Sequence, residues 1–374
     1  MGLLCHKRAQ YPLLSSSDID ETYSISKLSE KDFNPISLIG KGSFGNIYLV
    51  RFNRNKRLYA MKVLSKSLIR QQNQENNTKS ERDLMIKINC PFIVNVKYAF
   101  QNETKLFLVQ EFVQGGDLFF HLHLFPKFSD EKTKFYVIEL VMALDFLHKN
   151  NMIYRDLKPE NILIGIDGHI KITDFGLSKK LLNYDKTYTI CGTIQYVAPE
   201  ILGGEGYNES VDWWSLGCIM FEMLTGRFPF RFSKSGKLSL EVYKKPIKFP
   251  DYINDNAKDL ISKLLDQDPK KRLGNGINGG DDVKAHPYFN DVNWEEAWDK
   301  KLNPPYIPKV NNDLDIKYFE KTYTEEPIFN GKMDSLSNDD EDEEGELEEN
   351  YKGFTYVGSC DELKDIVKDS DAEE

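Results

Sequence analysis

The sequence predicts an α+β chain of two lobes, a small antiparallel β-sheet lobe with one main helix followed by a larger, mostly helical lobe. Three observations carry this. Between 33 and 113 apolar and polar residues alternate in ISLIG, NIYLVR, LYAMKVL, FIVNVKYAF and LFLVQEFV, the pattern of half-buried strands. After Gly115–Gly116 the period changes, and FSDEKTKFYVIELVMALDFLHKN spaces its apolar residues helically from Phe135 to Leu147. SVDWWSLGCIMFEMLTG and AKDLISKLLDQDP repeat that spacing further on.

Taken in order, three strands fall within 33–64, around Gly-rich and Lys-rich turns. A single helix follows over about 68–89, a polar stretch without Gly or Pro that ends in LMIKIN ahead of Pro91. Two further strands are expected at 92–100 and 106–113. Ser129 then stands as N-cap of a long helix, with Glu131 in its first turn. The lobes join near Val113–Gly116, and a cleft between them is the expected ligand site. Beyond about 290, Pro304, Pro305 and Pro308 are expected to forbid regular structure. No internal repeat is present.

The chain has 374 residues, of which 40% are hydrophobic and 29% charged, which excludes a long disordered protein. Its formal charge of -10 is unevenly placed. Residues 334–374 hold 17 Asp or Glu against three Lys, a net of -14, which leaves +4 for the remaining 333 residues. Net charge therefore names no partner, and nothing in the sequence indicates nucleic acid or an oligomer. The five Cys (5, 90, 191, 218 and 360) are scattered, without spacing for zinc or a disulfide framework, as in a reduced cytoplasmic protein. The most apolar stretch, WWSLGCIMFEML (213–224), is too short and too polar to span a bilayer. MGLLCHKRAQ lacks a secretory apolar core.

GKGSFGNI, Gly40–Ile47, lies between two expected strands, so its glycines let a hairpin backbone approach a phosphate chain. By itself it is equally a flexible hairpin. A dinucleotide fingerprint would require a helix after the last Gly, where NIYLVR reads as a strand. Lys62 in AMKV follows on the next strand, where an ammonium can meet phosphates; a lone strand Lys is otherwise a solvated one.

The downstream series removes the bland readings. YRDLKPEN (Tyr154–Asn161), DFG (Asp174–Gly176) and APE (Ala198–Glu200) stand in the order and spacing of protein-kinase signatures. The sequence resembles the eukaryotic protein kinases over about 33–289, and 290–357 is similar to the C-terminal extension of the AGC group of serine/threonine kinases, nearest the protein kinase B and ribosomal-protein-kinase branch. The resemblance implies the bilobal protein kinase fold: a small lobe at 33–112, a large lobe at 114–289, an N-terminal extension at 1–32 and a C-terminal extension at 290–374.

It also implies ATP and Mg²⁺. Transfer of a γ-phosphoryl group needs in-line positioning and spread of negative charge, supplied by cations and one proton acceptor. Asp156 matches that acceptor, Lys158 the cation beside it, and Asn161 and Asp174 the hard-oxygen metal ligands. Glu81, in TKSERDLM, matches the partner of Lys62. The ATP site implied comprises Ile39, Gly40, Lys41, Gly42, Ser43, Phe44, Gly45, Asn46, Ile47, Ala60, Lys62, Glu111, Val113, Asp117, Leu163 and Phe319. KPEN, with Thr193 in CGTIQYVAPE, resembles kinases of Ser and Thr. Asp117, Glu160 and Glu222 match acids that read basic residues near the phosphoacceptor, by charge-assisted pairing with guanidinium; the alternative leaves Asp117 to the ribose and the two Glu to helix surfaces. Protein substrates with basic contexts are the partners implied. Tyr154 is expected to stack with Phe175, Met85 and Val96, and Gln110 stands as a polar gatekeeper.

Regulation is implied by the same match. Thr189 in YTICGT is the expected activation-loop phosphosite for an upstream kinase, its phosphate recruiting Arg155 and Lys179. YKGFTYVG resembles the hydrophobic motif at 351–356, behind an acidic spacer at 339–349: Tyr351 and Phe354 would dock on the small lobe and steady the Glu81 helix, with Thr355 as phosphosite. Ser335 and Ser337 are candidates for the turn-motif site. Gly2 and Cys5, followed by Lys7 and Arg8, are candidates for acylation and membrane contact, although His6 stands where the myristoylation pattern wants Ser or Thr. A non-catalytic scaffold on the same fold is opposed by the complete set of chemical residues. A cyclic-nucleotide-regulated catalytic subunit is opposed by the presence of YKGFTYVG after FEKTY.

Overall fold

A computed structural model describes residues 28–42, 45–72, 75–181, 186–189, 191–230, 240–328, 351 and 353–358. Strands β1 (Phe33–Gly42), β2 (Gly45–Phe52) and β3 (Leu58–Ser65) form an antiparallel meander, with Ile47 opposite both Gly40 and Lys62. Two helices follow, α1 (Lys66–Gln71) and α2 (Glu75–Lys87), where one over 68–89 is expected from the sequence. The polar run QQNQENN conceals the division because it contains neither Gly nor Pro. Ser65 caps α1, accepting from Leu68 N at 3.4 Å.

Strand β4 (Val96–Gln101) begins later than the expected 92–100, and β5 (Lys105–Glu111) completes the hairpin. The apolar residues before β4 serve the junction instead. Val94 N donates to Ile172 O at 2.9 Å and Ile172 N to Phe92 O at 2.8 Å, a backbone tie from the small lobe to the large one. The run is buried, and its β pairing is a single parallel bridge, Ile93 to Ile172, rather than an extension of β4.

The large lobe comprises α3 (Leu118–Leu124), α4 (Asp130–Lys149), the short strands β6 (Met152–Ile153), β7 (Ile162–Ile164), β8 (Ile170–Ile172) and β9 (Lys179–Lys180), then α5 (Pro199–Leu202), α6 (Ser210–Thr225), α7 (Asp255–Leu264) and α8 (Gly280–Lys284). Ser129 caps α4 as expected, accepting from Lys132 N. Helix α6 is buried except at Glu222 and Thr225, which are partly exposed, and packs against α4 and α7 within the largest apolar cluster.

Past 290 the chain is not wholly irregular. A short helix α9 (Trp294–Trp298), capped by Asn293, precedes the prolines, and α10 (Lys321–Thr324) and strand β10 (Tyr356–Val357) follow them. Strand β10 pairs with β4, giving the six-stranded order β1-β2-β3-β5-β4-β10 and covering what would be an exposed sheet edge. One face of that sheet stacks Phe33, Phe52, Phe100 and Phe107; the other holds Leu64, Ile69, Leu106 and Leu108 together with Tyr351 and Phe354. Among the described residues no helix is long and apolar enough to cross a membrane. Ser43, Phe44, Ser335, Ser337, Gly2, Cys5 and the acidic spacer lie outside the described residues.

Candidate active site

Lys62 projects from β3, one strand removed from the glycine hairpin, and its Nζ lies 2.9 Å from Glu81 Oε1 on α2 and 3.0 Å from Asp174 Oδ1. Burial opposes its charge, but the Asp174 and Glu81 carboxylates outweigh that and hold its pKa above the ordinary lysine value. Asp174 is correspondingly lowered, first by Lys62. Glu81 is raised because burial exceeds the pull of Lys62. Asp174 has a left-handed backbone, φ 59°, an unfavourable conformation for a residue with a Cβ that persists where surroundings impose it.

The segment after β6 supplies the second group. Asp156 is 2.8 Å from Lys158 Nζ, which also donates to Thr193 Oγ1 at 3.1 Å, while Thr193 Oγ1 donates to Asp156 Oδ1 at 3.3 Å. Asn161 Nδ2 donates to the Asp156 carbonyl at 2.9 Å and carboxylate at 3.0 Å, which turns its amide oxygen to the opposite side. Asp212, at the start of α6 and fully buried, accepts from the backbone N–H of Tyr154 at 2.9 Å and of Arg155 at 2.8 Å. It thereby holds Arg155 at φ 72° and orients the loop. The sequence reading missed Asp212, although an acid inside the apolar run SVDWWSLGCIM is the available signal. Tyr154 meets Phe175 edge-on at 5.2 Å, with Met85 and Val96 buried in the same apolar core.

The glycines differ in what constrains them. A Cβ on Gly45 would lie 1.8 Å from Val63 O, so the neighbouring strand requires glycine there. Gly40 and Gly42 would place a Cβ 3.6 Å from the nearest atom, in ordinary contact, so the protein itself leaves room at both. Ile39 and Val113 are buried, while Asn46, Ile47, Ala60 and Leu163 are partly so. The Glu111 carboxylate is turned to Asn95 N and Lys171 Nζ, 2.8 Å from each, which leaves its backbone for any cleft contact. Lys41 pairs with Glu326 of the extension at 2.8 Å. Phe319 stacks on Phe112 at 5.7 Å, beside the lobe junction. Gln110 is buried and donates to Met85 Sδ at 3.7 Å.

Three acids share one field at the front of the large lobe. Asp117 caps α3, accepting from Phe120 N at 2.7 Å; burial pushes its pKa up to about 6, with Glu160 adding to the rise. Glu222 accepts from Tyr196 OH at 2.7 Å, and burial, again with Glu160, pushes it up to about 7. Thr189 and Thr355 are both exposed. Tyr207 OH donates to Thr189 O at 2.6 Å, and the contacts of Arg155 and Lys179 run to Tyr207 OH and Thr187 Oγ1 rather than to the Thr189 hydroxyl.

A two-lobed chain with a lysine held between two carboxylates, an Asp–Lys–Thr cluster whose Lys158 also acts on Asp174, and a glycine hairpin beside the lysine's strand defines a phosphotransferase of the kinase class. Residues 33–289 match the protein kinase domain, and the chain belongs to the protein kinase family, as a serine/threonine kinase of the AGC group. Its phosphoryl donor is ATP and it acts on protein substrates. It is 44% identical over 343 residues to Protein kinase 2 of Dictyostelium discoideum, covering 91% of this chain and 69% of that one. It is 41% identical to the RAC family serine/threonine-protein kinase homolog of the same organism, covering 90% and 74%. With the RAC serine/threonine-protein kinase of Drosophila melanogaster it shares 41% over 81% of its own length, and it spans 50% of that relative.

Proposed function

We propose that the chain transfers the γ-phosphoryl group of Mg-ATP to Ser or Thr hydroxyls lying near basic residues, with Asp156 accepting the hydroxyl proton. The observation that carries this is the assembled pair of clusters, Lys62 between Glu81 and Asp174, and Asp156 bridged to Lys158 and Thr193. Lys62 is charged by its partners and suits the α- and β-phosphates; Lys158 suits the γ-phosphoryl as charge develops. Glycine at 40 and 42, where a Cβ would clash with no described atom of the protein, fits a phosphate chain brought against the backbone. Ala60, Val113 and Leu163 would line the adenine, with Phe319 closing its edge.

The metal site fits the residues present. No cluster of three or more His, Cys, Asp or Glu with metal-holding geometry occurs among the described residues. Asp174 and the Asn161 amide oxygen are two hard donors, and Mg²⁺ is commonly held by one or two such groups plus substrate phosphates. When bound it would neutralise phosphate charge; the residues themselves position donor and acceptor and take the proton.

Asp117, Glu160 and Glu222 form the reading surface for basic residues of the substrate. The raised pKa values of Asp117 and Glu222 support this: burial first, with the Glu160 carboxylate adding to it, disfavours both charges, so each gains from an incoming guanidinium. Phosphorylation of Thr189 by an upstream kinase would bring Arg155 and Lys179 to it, and Thr355 would reinforce the seat of Tyr351 and Phe354. Acylation at Gly2 or Cys5, with cytoplasmic or peripheral-membrane placement, and a turn-motif site at Ser335 or Ser337 complete the reading.

Purified protein should phosphorylate a basic Ser peptide, and Asp156→Ala should lower the rate by about a thousandfold or more. An active Asp156→Ala protein would sink the mechanism. Mass-spectrometric mapping of active protein from its own cells tests the rest: absence of phosphate at both Thr189 and Thr355 would overturn the regulatory part.

A further inference from the structure

Helix α4 carries a lysine whose ammonium is surrounded by rings. Lys132 Nζ lies 3.9 Å from the centroid of Phe128, 4.2 Å from Tyr306, 5.0 Å from Phe125 and 5.9 Å from Tyr136. Among the described residues it has no ion pair with a carboxylate. Burial without a counter-anion pushes its pKa down to about 8, so ring faces, which attract cations through their quadrupoles, supply the compensation a carboxylate would otherwise give. Three of these rings belong to the large lobe. Tyr306 belongs to the C-terminal extension.

From Tyr306 the extension runs along the lobe junction without slack. A Cβ on Gly168 would lie 2.5 Å from Pro304 Cβ, and one on Gly115 would lie 2.8 Å from Pro308 Cγ, so glycine admits the strap at both places. Gln114 Nε2 donates to Asn312 O at 2.6 Å and to Asp315 O at 3.0 Å. Gly116, at φ 77°, sits beneath Tyr318, whose hydroxyl donates to Lys309 O and accepts from Lys309 N, both at 3.0 Å. The next residue is Phe319, stacked on Phe112.

We propose that Lys132 is a positioning residue for the nucleotide: its ammonium pins Tyr306, and the pinned strap sets where Phe319 stands at the lobe junction. Lys132 itself touches neither the clusters around Lys62 and Asp156 nor the three substrate-reading acids. Its effect is therefore on nucleotide binding and not on the chemical step. The inference rests on the assignment of Phe319 to the adenine pocket, and the experiment separates the two.

KM for ATP, kcat and amide hydrogen exchange over 304–319 are measured on the full chain and on Lys132→Met, Lys132→Arg, Tyr306→Leu and Phe319→Ala. Lys132→Met keeps the apolar stem and removes the charge. It should raise KM for ATP roughly fivefold, leave kcat within about twofold and speed exchange in the strap. Tyr306→Leu, which removes the ring from the other side, should do the same, and Lys132→Arg should restore KM. Unchanged KM and exchange in Lys132→Met and Tyr306→Leu, beside a raised KM in Phe319→Ala, would overturn the pin alone. An unchanged KM in Phe319→Ala would overturn the assignment on which the pin rests.

Discussion

The Arg82 guanidinium lies 5.5 Å over the ring of Phe354, while the residue before it, Glu81, holds Lys62 at 2.9 Å. The extension thus touches the same turn of α2 that carries the partner of Lys62. Lys79 Nζ, less than one turn earlier, is 5.4 Å from the Tyr351 ring, and Gln101 Nε2 donates to Tyr351 O at 3.1 Å.

Phe354→Ala is therefore expected to act on the enzyme through α2. It removes a buried ring, with a cost of about 3 kcal/mol to docking of the motif, and it should lower kcat/KM about tenfold without abolishing activity. Peptide-kinase assays and exchange protection of α2 check this; a full-rate Phe354→Ala enzyme would show the contact to be passive.

Recognition of basic substrates should depend on pH with a definite sign. Glu222, raised to about 7, and Asp117, raised to about 6, take up protons as pH falls, and a protonated carboxyl loses its attraction for guanidinium. KM for an Arg-containing peptide should rise about tenfold between about pH 8 and about pH 6. Glu222→Gln should raise KM at the higher pH and flatten the profile, and a peptide without basic residues should show little slope.

The glycine hairpin separates stability from binding. Gly45→Ala places a methyl 1.8 Å from Val63 O and should destabilise the small lobe by roughly 2 kcal/mol or more. Gly42→Ala meets nothing closer than 3.6 Å among the described residues and should leave the melting temperature almost unchanged while raising KM for ATP. Equal loss of stability in both variants would remove the argument that the space at Gly42 serves a ligand.

A buried ion pair outside the site gives a stability test. Arg272 donates to Glu200 at 2.6 and 2.9 Å, both side chains being buried, and its Nη1 also donates to Ser210 O at 3.1 Å. Arg272→Met leaves the Glu200 charge without its partner and should cost about 3–5 kcal/mol. Adding Glu200→Gln should recover part of that loss in urea unfolding, because the pair is coupled.

Much of the site was legible because its chemistry is local. YRDLKPEN and DFG place Asp156, Lys158, Asn161 and Asp174 in one stretch between 154 and 176, and periodicity marked α4, α6 and the sheet. Legibility failed where long-range packing decides. The run FIVNV reads as strand because it is apolar, but its first residues bond to Ile172 in the large lobe. Gly115 and Gly116 read as the join between the lobes, and they also make room for the strap at Pro308 and Tyr318.

The sequence by itself determined the class of protein, the order of its lobes and which residues are the candidates to act on phosphate. These reside in short motifs and in periods of two and 3.6, which survive without knowledge of any partner segment. Only the tertiary structure decided that Asp174 meets Lys62, that Asp212 holds the backbone of Tyr154 and Arg155, and that β10 closes the edge of β4. Such pairings join residues far apart along the chain. Their formation depends on loop closure and shape complementarity of the whole fold, which no local pattern encodes.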